Sequence, residues 1–161
     1  MPYHIHWRNS VRVHGGWPVV TILLRPAREV DAKSVASLLA ELGYPSSEAD
    51  IRGRLRHSLP SRTSCFLLAQ SGSEITGLAC AELVPYVPNG TTICRMTALV
   101  VSSHHRGQGI GEKLVAGVTD FAREHHCSGI EITSAEHRHD AHRFYRRLGF
   151  SRTSIRFFRS L

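Results

Sequence analysis

Apolar residues near the start of the chain change from the spacing of a strand to that of a helix. Residues 21–25, Thr-Ile-Leu-Leu-Arg, predict a first strand. We expect Asp31 to cap a helix that ends at Gly43, and four apolar residues between them recur at helical spacing: Val35, Leu38, Leu39 and Leu42. Ser47 and Asp50 are similar to a capping box, which predicts a second helix with apolar positions at Ile51, Leu55 and Leu59.

The middle of the chain consists of apolar runs separated by turn residues. Residues 65–70 and 74–83 predict two strands that are joined by a Ser-Gly-Ser turn. Residues 88–90, Pro-Asn-Gly, predict another turn, and this turn leads into a strand over residues 92–101.

Helices and strands alternate in the last third of the chain. Residues 111–125 predict an amphipathic helix, and residues 129–133 predict a short strand. Gly149 is expected to end a short helix, and residues 150–158 predict a last strand. The resulting order, β-α-α-β-β-β-α-β-α-β, indicates an α/β fold with a single mixed sheet.

Composition narrows the class of protein. The chain has 161 residues, of which 42% are hydrophobic and 20% are charged, and this is typical of one globular domain. No apolar run approaches the ~20 residues that a membrane span needs. Four separated cysteines without a C-x-x-C pair disfavour a disulfide framework or a zinc ribbon, so a cytoplasmic location is expected. Residues 1–20 contain no acid and are interpreted as a flexible N-terminal extension of a domain that covers residues 21–161.

The most specific pattern lies between a predicted strand and a predicted helix. Residues 102–109, called the glycine loop below, read Ser-Ser-His-His-Arg-Gly-Gln-Gly. Glycines let the backbone approach a ligand closely, and the free N–H groups and dipole at a helix start attract anions. The pattern therefore predicts a site for a pyrophosphate.

Two common nucleotide-binding patterns do not fit this segment. A P-loop needs Lys and then Ser or Thr after its last glycine, whereas Gly111 is followed by Glu112 and Lys113. The dinucleotide pattern G-x-G-x-x-G fails because Glu112 stands where its last glycine belongs.

A family resemblance rests on two segments. Arg106, Gly109 and Gly111 have the spacing R-x-x-G-x-G, and this stretch resembles the acetyl-CoA pyrophosphate loop of the GNAT superfamily of N-acetyltransferases. Residues 140–150 are independently similar to the family's second signature, A-x-x-F-Y-x-x-x-G-F. The resemblance covers about residues 21–161 and implies a single GNAT-like mixed, mostly antiparallel sheet flanked by helices.

The resemblance also implies a chemistry. Acetyl-CoA is then the cosubstrate, no metal is needed, and an amine attacks the thioester directly. Cofactor-binding residues are expected at the strand end and in the loop: Leu99, Val100, Val101, Arg106, Gly107, Gln108, Gly109, Ile110 and Gly111. Tyr145 matches the family tyrosine that protonates the leaving thiolate, and an ordinary pKa of ~10 keeps it protonated at neutral pH. Packing beside Phe144 is its alternative role.

The general base is left open by the sequence. Many family members carry a glutamate on the strand before the loop, where this chain has Met96-Thr97-Ala98. The proton acceptor is then a water chain, a histidine, Glu131 or Glu136. Three histidines have spacing that suits a metal, but no cysteine or carboxylate pattern completes the set, so structural or surface roles are expected: His137, His139 and His142.

Together these features predict an N-acetyltransferase for the primary amine of a small molecule. Residues 138–145 resemble the corresponding segment of aminoalkylphosphonate acetyltransferases. Protein acceptors (a lysine or an N-terminus) and a non-catalytic acyl-CoA sensor are the alternatives. The net charge of +7 is nearly all arginine, with lysine only at positions 33 and 113, so neither a nucleic-acid nor a membrane partner is expected. A homodimer is left open.

Overall fold

The computed structural model describes residues 21–161, which divide into two units. The first unit ends at Glu131, and the second unit is Ile132–Leu161. The predicted extension over residues 1–20 lies outside the described residues, so the domain boundary at residue 21 stays a prediction.

The strands and helices follow the predicted order through α4. The strands are β1 (Ile22–Pro26), β2 (Ser64–Ser71), β3 (Glu74–Tyr86), β4 (Thr91–Val101) and β5 (Gly129–Ile132). The helices are α1 (Ala32–Leu42), α2 (Glu48–Ser58), α3 (Ile110–Glu124) and α4 (His139–Arg147). Short 3-10 turns cover Glu29–Asp31, Val87–Asn89 and Ser103–His105.

The ends of α1 and α2 show how local sequence sets the helices. Gly43 has a φ of 100° and ends α1, as predicted, and the Ser47 side chain accepts a hydrogen bond from the Asp50 N–H at 3.1 Å. Asp31 is the N-cap residue of α1, as predicted, but its side chain makes no capping hydrogen bond to that helix. Its carboxylate instead accepts hydrogen bonds from the Arg25 guanidinium at 2.7 and 2.8 Å and from the Arg28 N–H at 2.7 Å, because the 3-10 turn directs it back towards β1.

The sheet contains five strands in sequence order, β1-β2-β3-β4-β5. The pairs β1–β2, β2–β3 and β3–β4 are antiparallel, which confirms the predicted mostly antiparallel sheet. Two β-bulges interrupt the register. Thr76 is the extra residue in β3, and Thr97 is the extra residue in β4. Cys80 pairs with Ala98, and Ala81 pairs with Met96. Because paired residues share a face and Cys80 and Ala81 point to opposite faces, the bulge at Thr97 places Met96 and Ala98 on opposite faces of the sheet.

Helices cover both faces of the sheet in the first unit. One buried cluster joins α1 and α2 to the sheet through Leu68, Leu78 and Val100. The neighbouring residue Gly77 faces the other side, where a Cβ would lie 2.9 Å from the Leu114 side chain of α3. Successive residues of a strand point to opposite faces, so α3 packs opposite α1 and α2. The close packing at Gly77 holds the start of α3 against the end of β4.

The second unit differs from its prediction after α4. Gly149 ends this helix with a φ of 85°, as expected, but the predicted strand over residues 150–158 is wrong, because those residues have no regular secondary structure. Every residue from 151 to 161 is exposed. The apolar side chains of this segment therefore bury too little surface to offset the entropy cost of ordering a strand.

Candidate acetyl-CoA site

The glycine loop begins where β4 ends, and backbone hydrogen bonds fix its first turn. The Ser102 N–H donates to the Thr76 carbonyl at 2.9 Å, so the bulge in β3 anchors the loop. The His105 N–H then donates to the Ser102 carbonyl at 2.8 Å and closes a 3-10 turn. The loop therefore leaves the sheet along a defined path before it reaches its glycines.

Gly107 and Gly109 form the part of the loop that leads into α3. Their φ angles are 77° and 72°, values that L side chains rarely adopt, and Gly109 is the N-cap of α3. A Cβ at either glycine would meet no atom within 4 Å, so open space adjoins the backbone there. The Lys113 N–H makes the first helical bond, to the Gly109 carbonyl at 3.2 Å, so the preceding amides are free for an anion. These amides form a cradle that could hold an anion such as a pyrophosphate.

The other loop residues that were predicted to bind the cofactor differ in how accessible their side chains are. Ile110 is 1% exposed and packs in the core, so only its backbone is available to a ligand. Gln108 and Arg106 are exposed. The Arg106 Nε donates to the Val101 carbonyl at 3.2 Å, and Nη2 lies 3.7 Å from the Glu41 carboxylate. The Arg106 guanidinium is therefore directed back towards β4 and α1.

Residues 99–101 form the end of β4. Leu99 pairs with Ala79 and Val101 pairs with Gly77, so β3 occupies one edge of this segment. Strand β5 and the residue before it contact β4 nearer the start of β4. The Ser128 N–H donates to the Thr92 carbonyl at 2.8 Å, and the Glu131 carboxylate forms an ion pair with Arg95. The bulge at Thr97 separates the two parts of β4.

Tyr145 lies in the second unit, on α4. Its ring packs against Phe144 and Phe150, with ring centroids 5.4 and 5.8 Å away. Burial raises the pKa of Tyr145, and the positive charge of Arg138 only partly opposes this effect. The hydroxyl therefore stays protonated at neutral pH, as a general acid requires. These contacts also satisfy the alternative packing role.

The candidate bases have different surroundings. Glu131 is already paired with Arg95, and the sequence pattern did not predict this cross-strand contact. Glu136 is exposed and lies in the second unit.

Within the described part of the chain, no group of three metal-binding side chains is placed to hold an ion. The His139 and His142 rings make an edge contact with centroids 6.2 Å apart.

Burial raises the pKa of all four cysteine thiols. Burial raises the pKa of Cys80 and of Cys94 to about 12, so both are protonated thiols at neutral pH. All four cysteines are free. Cys127 also has a raised pKa, through burial.

Two residues at the loop had no signal in the sequence. Glu41 on α1 accepts a hydrogen bond from the Ser103 N–H at 2.8 Å, and Thr76 anchors Ser102. Both contacts join positions that are far apart in the chain, and only the folded structure brings them together. The sequence pattern therefore identified the glycines of the loop but not the residues that hold it.

Comparison with known proteins defines the class to which this geometry belongs. The model of the Acetyltransferase (GNAT) family matches residues 33–150, and the chain belongs to that family. The fold is also that of a solved protein from Bacillus halodurans C-125 described as a transcriptional regulator. Its TM-score is 0.81 at 25% identity, over 87% of this chain and 99% of that protein.

The chain is also similar to two curated relatives. It is 30% identical to the aminoalkylphosphonate N-acetyltransferase of Salmonella typhimurium, over 86% of this chain and 90% of that protein. It is also 34% identical to N-acetyltransferase 8B of Mus musculus, over 61% of this chain but only 42% of that protein. The chain thus spans less than half the length of the mouse relative. Among residues 21–161, no helix is both long and apolar enough to cross a membrane.

Proposed function

We propose that this chain is an acetyl-CoA-dependent N-acetyltransferase that acts on the primary amine of a small molecule. The observation that supports this most strongly is the open backbone at Gly107 and Gly109, directly before the first turn of α3. Free amides at a helix start are suited to a pyrophosphate, which is the charged part of acetyl-CoA nearest its acyl arm. Family membership agrees with this assignment.

The residues of the chain would divide the work of the reaction. Acetyl-CoA supplies an acetyl group that is activated as a thioester. Backbone amides of residues 106–111 bind its pyrophosphate, and an N–H of residues 99–101 polarises the thioester carbonyl, as donors of an oxyanion hole do. An N–C bond forms to the amine as the C–S bond breaks. The amine proton passes to a base, and the departing sulfur takes a proton from the Tyr145 hydroxyl.

The small-molecule acceptor rests on one relative. The Salmonella protein is named for an aminoalkylphosphonate, and it is similar to this chain over most of both lengths. Acceptors with a protein lysine or N-terminus are the second candidate, and a sensor that binds acyl-CoA without turnover is the third. A cytoplasmic location stays a prediction, and a homodimer stays an open possibility.

Release of free thiol from acetyl-CoA, measured across a panel of amines, separates these candidates. The panel contains aminoalkylphosphonates, simple alkylamines, an aminoglycoside and peptides with a free lysine or N-terminus. We expect amine-dependent release with a small amine as the best acceptor. Release with peptides alone would move the assignment to a protein acetyltransferase. Binding of acetyl-CoA without release for any amine would support the sensor.

A further inference from the structure

The start of the glycine loop is attached to helix α1 by one carboxylate. The Glu41 Oε2 accepts a hydrogen bond from the Ser103 N–H at 2.8 Å, although the two residues lie 62 positions apart. The same oxygen lies 3.7 Å from Nη2 of Arg106. Glu41 therefore contacts both the backbone and a side chain of the loop.

This attachment complements the one made by the sheet. The Ser102 N–H donates to the Thr76 carbonyl of β3, and the next amide, that of Ser103, donates to Glu41 of α1. Two consecutive amides thus tie the loop to two different elements. Because a chain segment fixed at successive residues has little freedom left, the path of the loop towards Gly107 is set before a ligand arrives.

The position of the Arg106 side chain depends on the same carboxylate. Its Nε donates to the Val101 carbonyl at 3.2 Å, and Glu41 holds the outer end of the guanidinium near α1. A long, 61%-exposed side chain would otherwise sample many rotamers. With Glu41 in place, Arg106 is directed towards α1, and the space beside Gly107 and Gly109 is open.

The charge of Glu41 has two opposing effects at the loop, because it attracts the Arg106 guanidinium and would repel a bound pyrophosphate. A negative charge beside a site for a pyrophosphate opposes binding, because like charges repel. Glu41 favours binding of a pyrophosphate if its hydrogen bond to the Ser103 N–H contributes more than this repulsion costs. We infer that Glu41 is a positioning residue, which holds the Ser103 amide so that the glycine loop is preorganised for acetyl-CoA. This inference rests on the proposed function.

Three variants of Glu41 separate this role from its alternatives. Glu41→Gln keeps an oxygen that accepts from the Ser103 N–H but removes the charge, whereas Glu41→Ala removes both. Glu41→Met removes the acceptor and keeps the aliphatic stem, which makes it the substitute if the alanine variant folds poorly. Glu74→Gln is the matched control. Glu74 lies 3.7 Å from the His105 side chain, at the same loop, and is 61% exposed.

The dissociation constant of acetyl-CoA, measured by calorimetry on the full chain, is the main readout. We expect Glu41→Gln and Glu74→Gln to stay within about threefold of wild type, and Glu41→Ala and Glu41→Met to weaken binding about tenfold. Turnover at saturating acetyl-CoA should be unchanged, since Glu41 touches no reacting atom. Hydrogen exchange at the Ser103 amide should accelerate in the alanine variant and not in the glutamine variant.

Other orders of affinity would overturn the inference. Tighter binding by both the glutamine and the alanine variants would mean that Glu41 acts only by repulsion. Equal weakening of both would assign its effect to the charge pair with Arg106. Failure of the wild-type chain to bind acetyl-CoA would instead overturn the proposed function, so the two failures are distinguishable.

Discussion

The glycine loop and helix α4 contribute to the proposed reaction in different ways. The loop offers backbone amides, and its path is fixed by buried or hydrogen-bonded neighbours in β3, α1 and α3. Helix α4 offers one hydroxyl, that of Tyr145, and none of its residues is fully buried. Binding through a backbone tolerates many side-chain changes, whereas chemistry through one hydroxyl does not. The first unit should therefore control stability and affinity, and α4 should control turnover.

The largest expected difference between variants of the first and second units is in the free energy of unfolding. Asp31 is 7% exposed and accepts hydrogen bonds from Arg25 and Arg28. Asp31→Ala removes this partner of the Arg25 guanidinium, which is 17% exposed and keeps its hydrogen bonds to Gln70 and the Pro26 carbonyl. The free energy of unfolding should fall by about 2 kcal/mol. Arg143→Ala in the second unit removes an exposed contact with Asp140 and should cause no measurable change. Denaturant unfolding of both variants tests the contrast.

The same carboxylate predicts an acid-dependent loss of stability. Hydrogen bonds from Arg25 lower the pKa of Asp31 in the folded chain, and the bond from the Arg28 N–H adds to this effect. The stabilisation is fully present above the ordinary aspartate pKa of about 3.9, and it is lost as pH falls through the lowered folded-state pKa. Asp31→Ala should therefore show a flatter stability profile in this acid range. The free energies of unfolding of the wild type and the variant should therefore converge as the pH falls. A difference between them that does not narrow in acid would contradict the assignment.

Tyr145→Phe should affect turnover more than any other property. The change keeps the ring contacts with Phe144 and Phe150 and removes only the hydroxyl. Loss of a general acid should reduce turnover about 100-fold while the dissociation constant of acetyl-CoA stays nearly constant. The high-pH limb of the wild-type rate profile should lie above the ordinary tyrosine range, because burial raises the pKa of Tyr145. More than about half of wild-type turnover, with chemistry rate-limiting, would return Tyr145 to a packing role.

Removal of residues 1–20 should have the smallest effect on acetyl-CoA binding. The glycine loop, β4 and the contacts that hold the loop all lie within the described residues. We expect an unchanged dissociation constant for the shortened chain, measured beside the full chain. A loss of binding would show that the segment belongs to the functional fold.

The sequence predicted the parts of the molecule that depend on local pattern and missed those that depend on contacts between distant residues. Helix α1 was predictable because Val35 and Leu38 recur at helical spacing, and the loop was predictable because glycines stand between a strand and a helix. The bulge at Thr97 and the contact between Glu41 and Ser103 were not, since each depends on residues that only the fold brings together. Residues 150–158 had the composition of a strand, but all of them after Phe150 are exposed, and their apolar side chains bury too little surface to stabilise one.

The most direct test of the central claim compares two glycines in calorimetric titrations with acetyl-CoA. Gly109 and Gly90 have similar φ angles, 72° and 68°, and a Cβ at either would meet no atom within 4 Å. Valine therefore introduces similar backbone strain at both positions, but only Gly109 lies in the proposed cradle. We predict that Gly109→Val weakens acetyl-CoA binding at least tenfold, on the order of the loss of one charge-assisted hydrogen bond, while Gly90→Val binds as wild type does. Equal affinities for the two folded variants and the wild type would contradict the assignment of the glycine loop.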